Sequence, residues 1–169
     1  MNNKQEKKFI VITGLPGSGK TSIANKLKKD LEKLCGFSIV INGDDIRNIF
    51  KFKGYSLKDR ASHAAPYFRF SNFIHKKNIN IILTCASLTD ESRQLWKKNT
   101  KIIFIHVNAK LSDRVKNKKK VYNRYKKNLP GIDLKIPKPK IVDIFVQNNF
   151  KEDIETISNK LWKKILNFI

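Results

Sequence analysis

Residues Gly14-Leu15-Pro16-Gly17-Ser18-Gly19-Lys20-Thr21 spell G-x-x-x-x-G-K-[ST], and few stretches restrict a fold as much. The run before them, Phe9-Ile10-Val11-Ile12, is apolar and β-branched, as a fully buried strand is. The run after them, Ser22-Ile23-Ala24-Asn25-Lys26-Leu27, opens a helical pattern. Strand, glycine-rich turn and helix together make a phosphate cradle. Glycines 14, 17 and 19 let the backbone turn tightly and aim its N–H groups at an anion, at the positive end of the following helix. Lys20 supplies a mobile point charge for β- and γ-phosphate oxygens, and the Thr21 hydroxyl, followed by Ser22, is placed to ligate a bridging Mg²⁺. The loop predicts nucleoside triphosphate binding and leaves the acceptor open.

The remaining elements alternate. Ile23, Leu27, Leu31 and Leu34 form one helical stripe that Gly36 ends, and Ser38–Asn42 is a second buried strand. It runs into Gly43-Asp44-Asp45-Ile46-Arg47, two carboxylates at the strand edge where open α/β sheets bind ligands. Ser56 is a predicted N-cap with Asp59 at N3, opening a helix expected to break near Pro66. Strands are predicted over 79–84, 101–107 and 141–146, with a helix from Asp90 to about Lys98. A closing helix from Glu152 is expected to bury Ile154, Ile157, Leu161, Trp162, Ile165 and Phe168. No acid ends the third strand, so the usual metal-linked aspartate is missing there and Asp44 is the best substitute.

This pattern predicts an α/β fold of the P-loop NTPase type, a three-layer sandwich with a five-stranded parallel sheet and helices on both faces. All of residues 1–169 read as one domain, with a flexible, charged start over 1–8. Residues 110–140 are basic and poor in apolar side chains, which predicts a lid over the phosphates. Cys35 and Cys85 lack metal-ligand spacing and read as buried thiols of a reducing compartment. With no apolar leader and no run of about 18 apolar residues, a cytoplasmic protein is expected.

The formal net charge is +22, which raises a nucleic-acid partner. Yet 30 of the 36 basic residues are lysines spread along helix faces, with arginine only at 47, 60, 69, 93, 114 and 124. Such a surface reads first as a solvated cationic face that a base-composition bias in the genome gives, and second as a field that helps to recruit small anionic nucleotides; a polynucleotide partner ranks below both, and no membrane partner is expected. Tyr122 and Tyr125, set among lysines, are the best support for the rival RNA-binding reading. A guanine-reading Asn/Thr-Lys-x-Asp is absent, which sets aside a GTPase.

Four ordered motifs resemble the adenylyl-sulfate kinase family. They are the loop 14–21, then Asn42-Gly43-Asp44-Asp45-Ile46-Arg47, Gly54-Tyr55-Ser56-Leu57-Lys58-Asp59-Arg60, and Gly131-Ile132-Asp133. The resemblance implies transfer of the γ-phosphoryl group of ATP to a nucleotide ribose 3′-hydroxyl, with Mg²⁺. It implies ATP contacts from Gly14 to Ser22 and from Arg114, catalytic roles for Asp44 and Lys20, and metal contacts from Thr21 and Asp44. The acceptor side would comprise Asp44, Arg47, Tyr55, Arg60, His63, Ser87, Lys119 and Leu129.

Departures from the family pattern fall on the acceptor side. His63 stands for an Asn, Ala65-Pro66 for an Arg pair, Ala86-Ser87-Leu88-Thr89 for an F-I-S-P-like loop, and Leu129 for the aromatic clamp. A stacked base contributes about 1–3 kcal/mol, so losing one clamp and two cations favours a different acceptor with an intact ATP side. A divergent branch of the family, the cytidine diphosphoramidate kinases of bacterial capsule phosphoramidate synthesis, resembles these features. Adenylyl sulfate stays open as acceptor, as do a nucleoside or polynucleotide kinase and assembly as a homodimer.

Overall fold

A computed structural model describes residues 6–54, 56–86, 88–117, 131, 132 and 134–169. These form a parallel five-stranded sheet in the order β2-β3-β1-β4-β5, with β1 Phe9–Thr13, β2 Ser38–Asn42, β3 Asn80–Cys85, β4 Ile102–Asn108 and β5 Ile144–Gln147. The central strand β1 is buried along its whole length, as its unbroken apolar run predicts. Its last residue, Thr13, is in register with Cys85, the last of β3, and with His106 of β4, so β1 and β3 end together at the glycine-rich loop while β4 runs on to Asn108.

Side chains of β1 alternate between two cores. Ile10 and Ile12 pack under α1 Lys20–Cys35 and the closing helix α6 Ile154–Ile165, while Phe9 and Val11 face the other helical layer. That layer comprises α2 Gly43–Ile49, α3 Leu57–His75 and α4 Asp90–Asn99, which contribute Ile46, Ala64, Tyr67 and Trp96 to the core. A short helix, α5 Leu111–Asn117, follows β4. The three-layer α/β sandwich anticipated from the alternation is present. No helix among the described residues is long and apolar enough to cross a membrane.

Several local readings hold in atomic detail. Gly36 ends α1 with φ +80°, and Cys35 and Cys85 are buried free thiols. Ser56 and Asp59 form a reciprocal capping box, with Asp59 N–H donating to Ser56 Oγ at 3.2 Å and Ser56 N–H to Asp59 Oδ2 at 2.9 Å.

Other readings are corrected. Helix α3 runs unbroken through Pro66: the residue whose carbonyl loses its N–H donor, Ser62, is exposed, so no buried acceptor is left unpaired there. Leu34 is exposed, and Cys35 takes the buried place at the end of the α1 stripe. Strand β5 starts at Ile144, since the Asp143 carboxylate itself accepts the Phe104 N–H at 2.7 Å where a backbone carbonyl would pair. Phe168 is 39% exposed, because the chain tightens into a 3₁₀ turn after Ile165 and the apolar stripe loses its period. Lys8, assigned above to the free tail, is buried and donates its N–H to Asn80 Oδ1 at 2.8 Å.

Asn80, fully buried at the head of β3, is the polar bolt of this corner. Its Nδ2 donates to the carbonyls of Cys35, Gly36 and Phe37 at 3.1, 2.9 and 3.0 Å, closing the turn between α1 and β2. Asn80→Ala leaves the Lys8 N–H without its partner and takes one donor from each carbonyl, which keep the Lys7 ammonium, the Ser38 hydroxyl and the residue 80 N–H respectively, so it is expected to cost on the order of 2 kcal/mol. Urea unfolding checks this as a lowered midpoint with unchanged slope. A loss too small to shift the midpoint would refute the role.

Candidate functional site

The loop from Gly14 to Gly19 turns over the end of β1 and delivers the chain into α1 with Gly19 as N-cap at φ +92°. No side chain caps this helix and its first turn holds no acid, so the N–H groups around Lys20, Thr21 and Ser22 keep their donors for an incoming anion. Thr21 is exposed at the same turn. Lys20 folds its Nζ back to the Leu15 carbonyl at 3.0 Å, within the loop itself.

Glycines 14, 17 and 19 are required by close approach as well as by φ. A Cβ on Gly14 would lie 2.2 Å from the Val107 carbonyl oxygen, one on Gly17 2.5 Å from that of Arg114, and one on Gly19 2.6 Å from Asn148 Nδ2. Neighbouring side chains hold the loop from outside. Asn148, buried after β5, donates Nδ2 to the Ser18 carbonyl at 3.0 Å, and Asn117 at the end of α5 donates to the Gly17 carbonyl at 3.0 Å. Arg114 is buried beside the loop and donates Nε to the Ala109 carbonyl at 3.2 Å. The sequence reading missed Asn148 and Asn117; their one signal is position, just beyond β5 and at the end of α5.

Across the sheet edge, Gly43 is packed so closely on Thr84 that a Cβ would lie 3.0 Å from its carbonyl oxygen. Asn42 accepts from the Thr84 hydroxyl at 2.9 Å and donates to Asp45 at 3.0 Å, so Asp45 is occupied. Asp44 is exposed in the first turn of α2, and its carboxylate makes no hydrogen bond or ion pair among the described residues. Burial pushes the thiol of Cys85 up to about 11, and that thiol also feels Arg93, Lys20 and Asp44, which places all three around the end of β3. One carboxylate and one hydroxyl fit Mg²⁺, which keeps several waters and relies on substrate phosphates for the rest of its shell. No cluster of three or more His, Cys, Asp or Glu side chains exists among the described residues that would suit a fully protein-held ion.

Arg47 and His63 have partners inside the protein. Arg47 is buried and donates to the carbonyls of Phe52 and Gly54 at 3.2 and 2.8 Å, while its Nη2 lies 3.1 Å from His63 Nδ1. The His63 ring stacks on Phe52 with centroids 4.5 Å apart. Burial first, then the Arg47 charge, lowers the His63 pKa and favours the neutral imidazole that can accept from Arg47. Arg60 lines a cavity of about 280 Å³ between the first turns of α3 and α4 and the segment 136–139. Tyr55, Ser87, Lys119 and Leu129 lie outside the described residues, as do Tyr122, Tyr125 and Asp133.

A second cavity, of about 230 Å³, sits above the joined ends of β1, β3 and β4 and is lined by Thr13, Leu15, His106 and the same segment 136–139. His106 is lowered to about 4 by burial and by the charges of Arg93, Lys20 and Lys138, so it is neutral at pH 7.

Gly17→Ala places a methyl against the Arg114 backbone at φ +78°. The expected result is a loss of Mg–ATP affinity of at least about tenfold by titration calorimetry. Unchanged affinity would show that the loop does not carry the nucleotide.

The Adenylylsulphate kinase family model matches residues 6–147. The cytidine diphosphoramidate kinase of Campylobacter jejuni is 26% identical over 90% of this chain and 95% of its own length. The adenylyl-sulfate kinase of Rippkaea orientalis is 27% identical over 96% of this chain and 93% of its own. Among solved structures, the Mycobacterium tuberculosis APS kinase in complex with AMPPNP and APS superposes with TM-score 0.82 at 22% identity, covering 95% of this chain and 98% of that one. With the family's model spanning most of the chain and the same fold beneath it, this protein belongs to the adenylylsulphate kinase family and is a nucleotide kinase of that family.

Proposed function

We propose that the protein transfers the γ-phosphoryl group of ATP to the ribose 3′-hydroxyl of cytidine diphosphoramidate, in the cytoplasmic synthesis of capsule phosphoramidate. The observation that carries the kinase reading is the uncommitted Asp44 carboxylate on the sheet edge it shares with the glycine-rich loop. The N–H groups of the loop and Lys20 bind the β- and γ-phosphates and orient the γ-phosphoryl group toward that edge. Mg²⁺, held by Thr21 and Asp44 with the phosphates, supplies charge neutralisation. Asp44 accepts the proton of the attacking hydroxyl. Arg47 and His63 act by fixing the segment Phe52–Gly54, and exclusion of water is assigned to the lid read over residues 110–140, of which 118–130 and 133 lie outside the described residues.

The choice of acceptor is supported by the loss of two cations and an aromatic clamp on the acceptor side. Ala65 and Pro66 occupy α3 where the family pattern has two arginines, and Leu129 stands for the aromatic clamp. The 280 Å³ cavity is lined by Leu57, Ala61, Ala64, Leu88, Ile136 and two prolines, with Arg60 and Lys138 as its cations. Asp90 and Glu91 line it too, with the Asp90 carboxylate held by the Lys140 and Ile141 N–H groups, and the apolar wall between these charges fits a base. The similarity to the Campylobacter kinase points the same way.

The test is kinase turnover with Mg–ATP on cytidine diphosphoramidate and on adenylyl sulfate side by side, with Lys20→Ala as the blank. A kcat/KM higher by about a hundredfold for the cytidine compound is expected. Preference for adenylyl sulfate would overturn the acceptor while keeping the chemistry. Turnover of neither above the blank would overturn both.

A further inference from the structure

Arg93 of α4 is 1% exposed, and it is the side chain that joins the acceptor side to the loop-bearing strand. A buried guanidinium is costly unless its donors are met, and here they are met by oxygens on three separate segments. Nη2 donates to the Thr13 hydroxyl at 2.8 Å, at the last residue before the glycine-rich loop. Nε donates to the Leu88 carbonyl at 3.3 Å, in the loop after β3. Nη1 donates to the Ile141 carbonyl at 3.3 Å, at the end of the segment that walls both cavities. Its face rests on Phe104, 5.2 Å from the ring centroid.

Two neighbours on α4 fasten the same segment from outside. The Asp90 carboxylate accepts the N–H of Lys140 at 2.9 Å and of Ile141 at 3.1 Å. Lys97 pairs with Asp143 at 2.6 Å. Three charged side chains of one helix therefore hold residues 140–143, and only Arg93 also reaches β1. Its planar fork is what allows three directions at once; a lysine at this place has one mobile ammonium.

We propose that Arg93 is a positioning residue for phosphoryl transfer: it sets the strap 136–141 and the Leu88 loop at a fixed distance from the end of β1, and so registers the acceptor against the ATP loop. This rests on the assignment of the acceptor to the cavity walled by that strap. A single solvent-shielded hub explains why a cation is kept on the apolar side of α4 beside Trp96, where a hydrophobic residue would pack without the cost of burying a charge.

The test compares Arg93→Met and Arg93→Lys with the wild type in steady-state kinetics, each substrate varied in turn, and in amide hydrogen exchange. For Arg93→Met the acceptor KM is expected to rise about tenfold or more while the ATP KM stays within about threefold, with Arg93→Lys between. Exchange at the amides of Lys140 and Ile141 is expected to rise in the same order. Equal rises in both KM values, or unchanged exchange in the strap, would overturn the proposal. Should Arg93→Met fail to fold, Asp90→Ala releases the strap from the half-buried side. Faster strap exchange and a selective rise in acceptor KM are again expected, and their absence counts against the proposal. If the wild type phosphorylates neither nucleotide named above, the acceptor assignment fails on its own, and the exchange measurement still decides whether Arg93 holds the strap.

Discussion

The backbone of the glycine-rich loop lies against three other segments at distances that no side chain could tolerate: Val107 at Gly14, Arg114 at Gly17 and Asn148 at Gly19. That contact depends on the parallel sheet, because β4, the helix after it and the turn after β5 must all rise to the same edge as β1. In return, the loop keeps the N–H groups of the α1 first turn bare and directed at one point. Every other functional group is placed relative to that point. Asp44 comes from the edge of β2, whose neighbour β3 pairs with β1, and the strap 136–141 arrives from the far side of β4.

The two sides of the cleft are built differently. The ATP side is backbone and glycine, with side chains such as Asn148 and Asn117 serving as props. The acceptor side is made of side chains whose charges are already engaged: Arg47 with His63 and the Phe52–Gly54 carbonyls, Asp90 and Arg93 with the strap. A backbone cradle accepts any polyphosphate and tolerates little change. A side-chain wall can be altered residue by residue, which is where this chain departs from its family's pattern.

The strands and α1 were legible because their signals are local. Unbroken apolar runs mark β1, β3 and β4, the three inner strands, and a capping box at Ser56 marks the start of α3 without reference to anything distant. What was not legible is carried by polar side chains acting across long sequence separations. Asn80 closes a turn more than forty residues away, Arg93 reaches Thr13 and Ile141, and Asn148 reaches Ser18. In a composition so rich in lysine and asparagine, one buried asparagine or arginine has no mark of its own. Arg47 shows the converse. Its motif is readable, yet its guanidinium is spent on loop carbonyls and an imidazole, which no spacing reveals.

The division between an ATP-holding loop and a separate proton-accepting carboxylate is tested most directly by Asp44→Asn, which keeps the shape of the side chain and removes its charge. Mg–ATP affinity by calorimetry and kcat would be measured on the same preparation. Affinity lowered by no more than about tenfold, the share the lost metal contact accounts for, with kcat lower by on the order of 10²–10⁴-fold, is the predicted result. Turnover near the wild-type rate would contradict it and move the proton-accepting role away from Asp44.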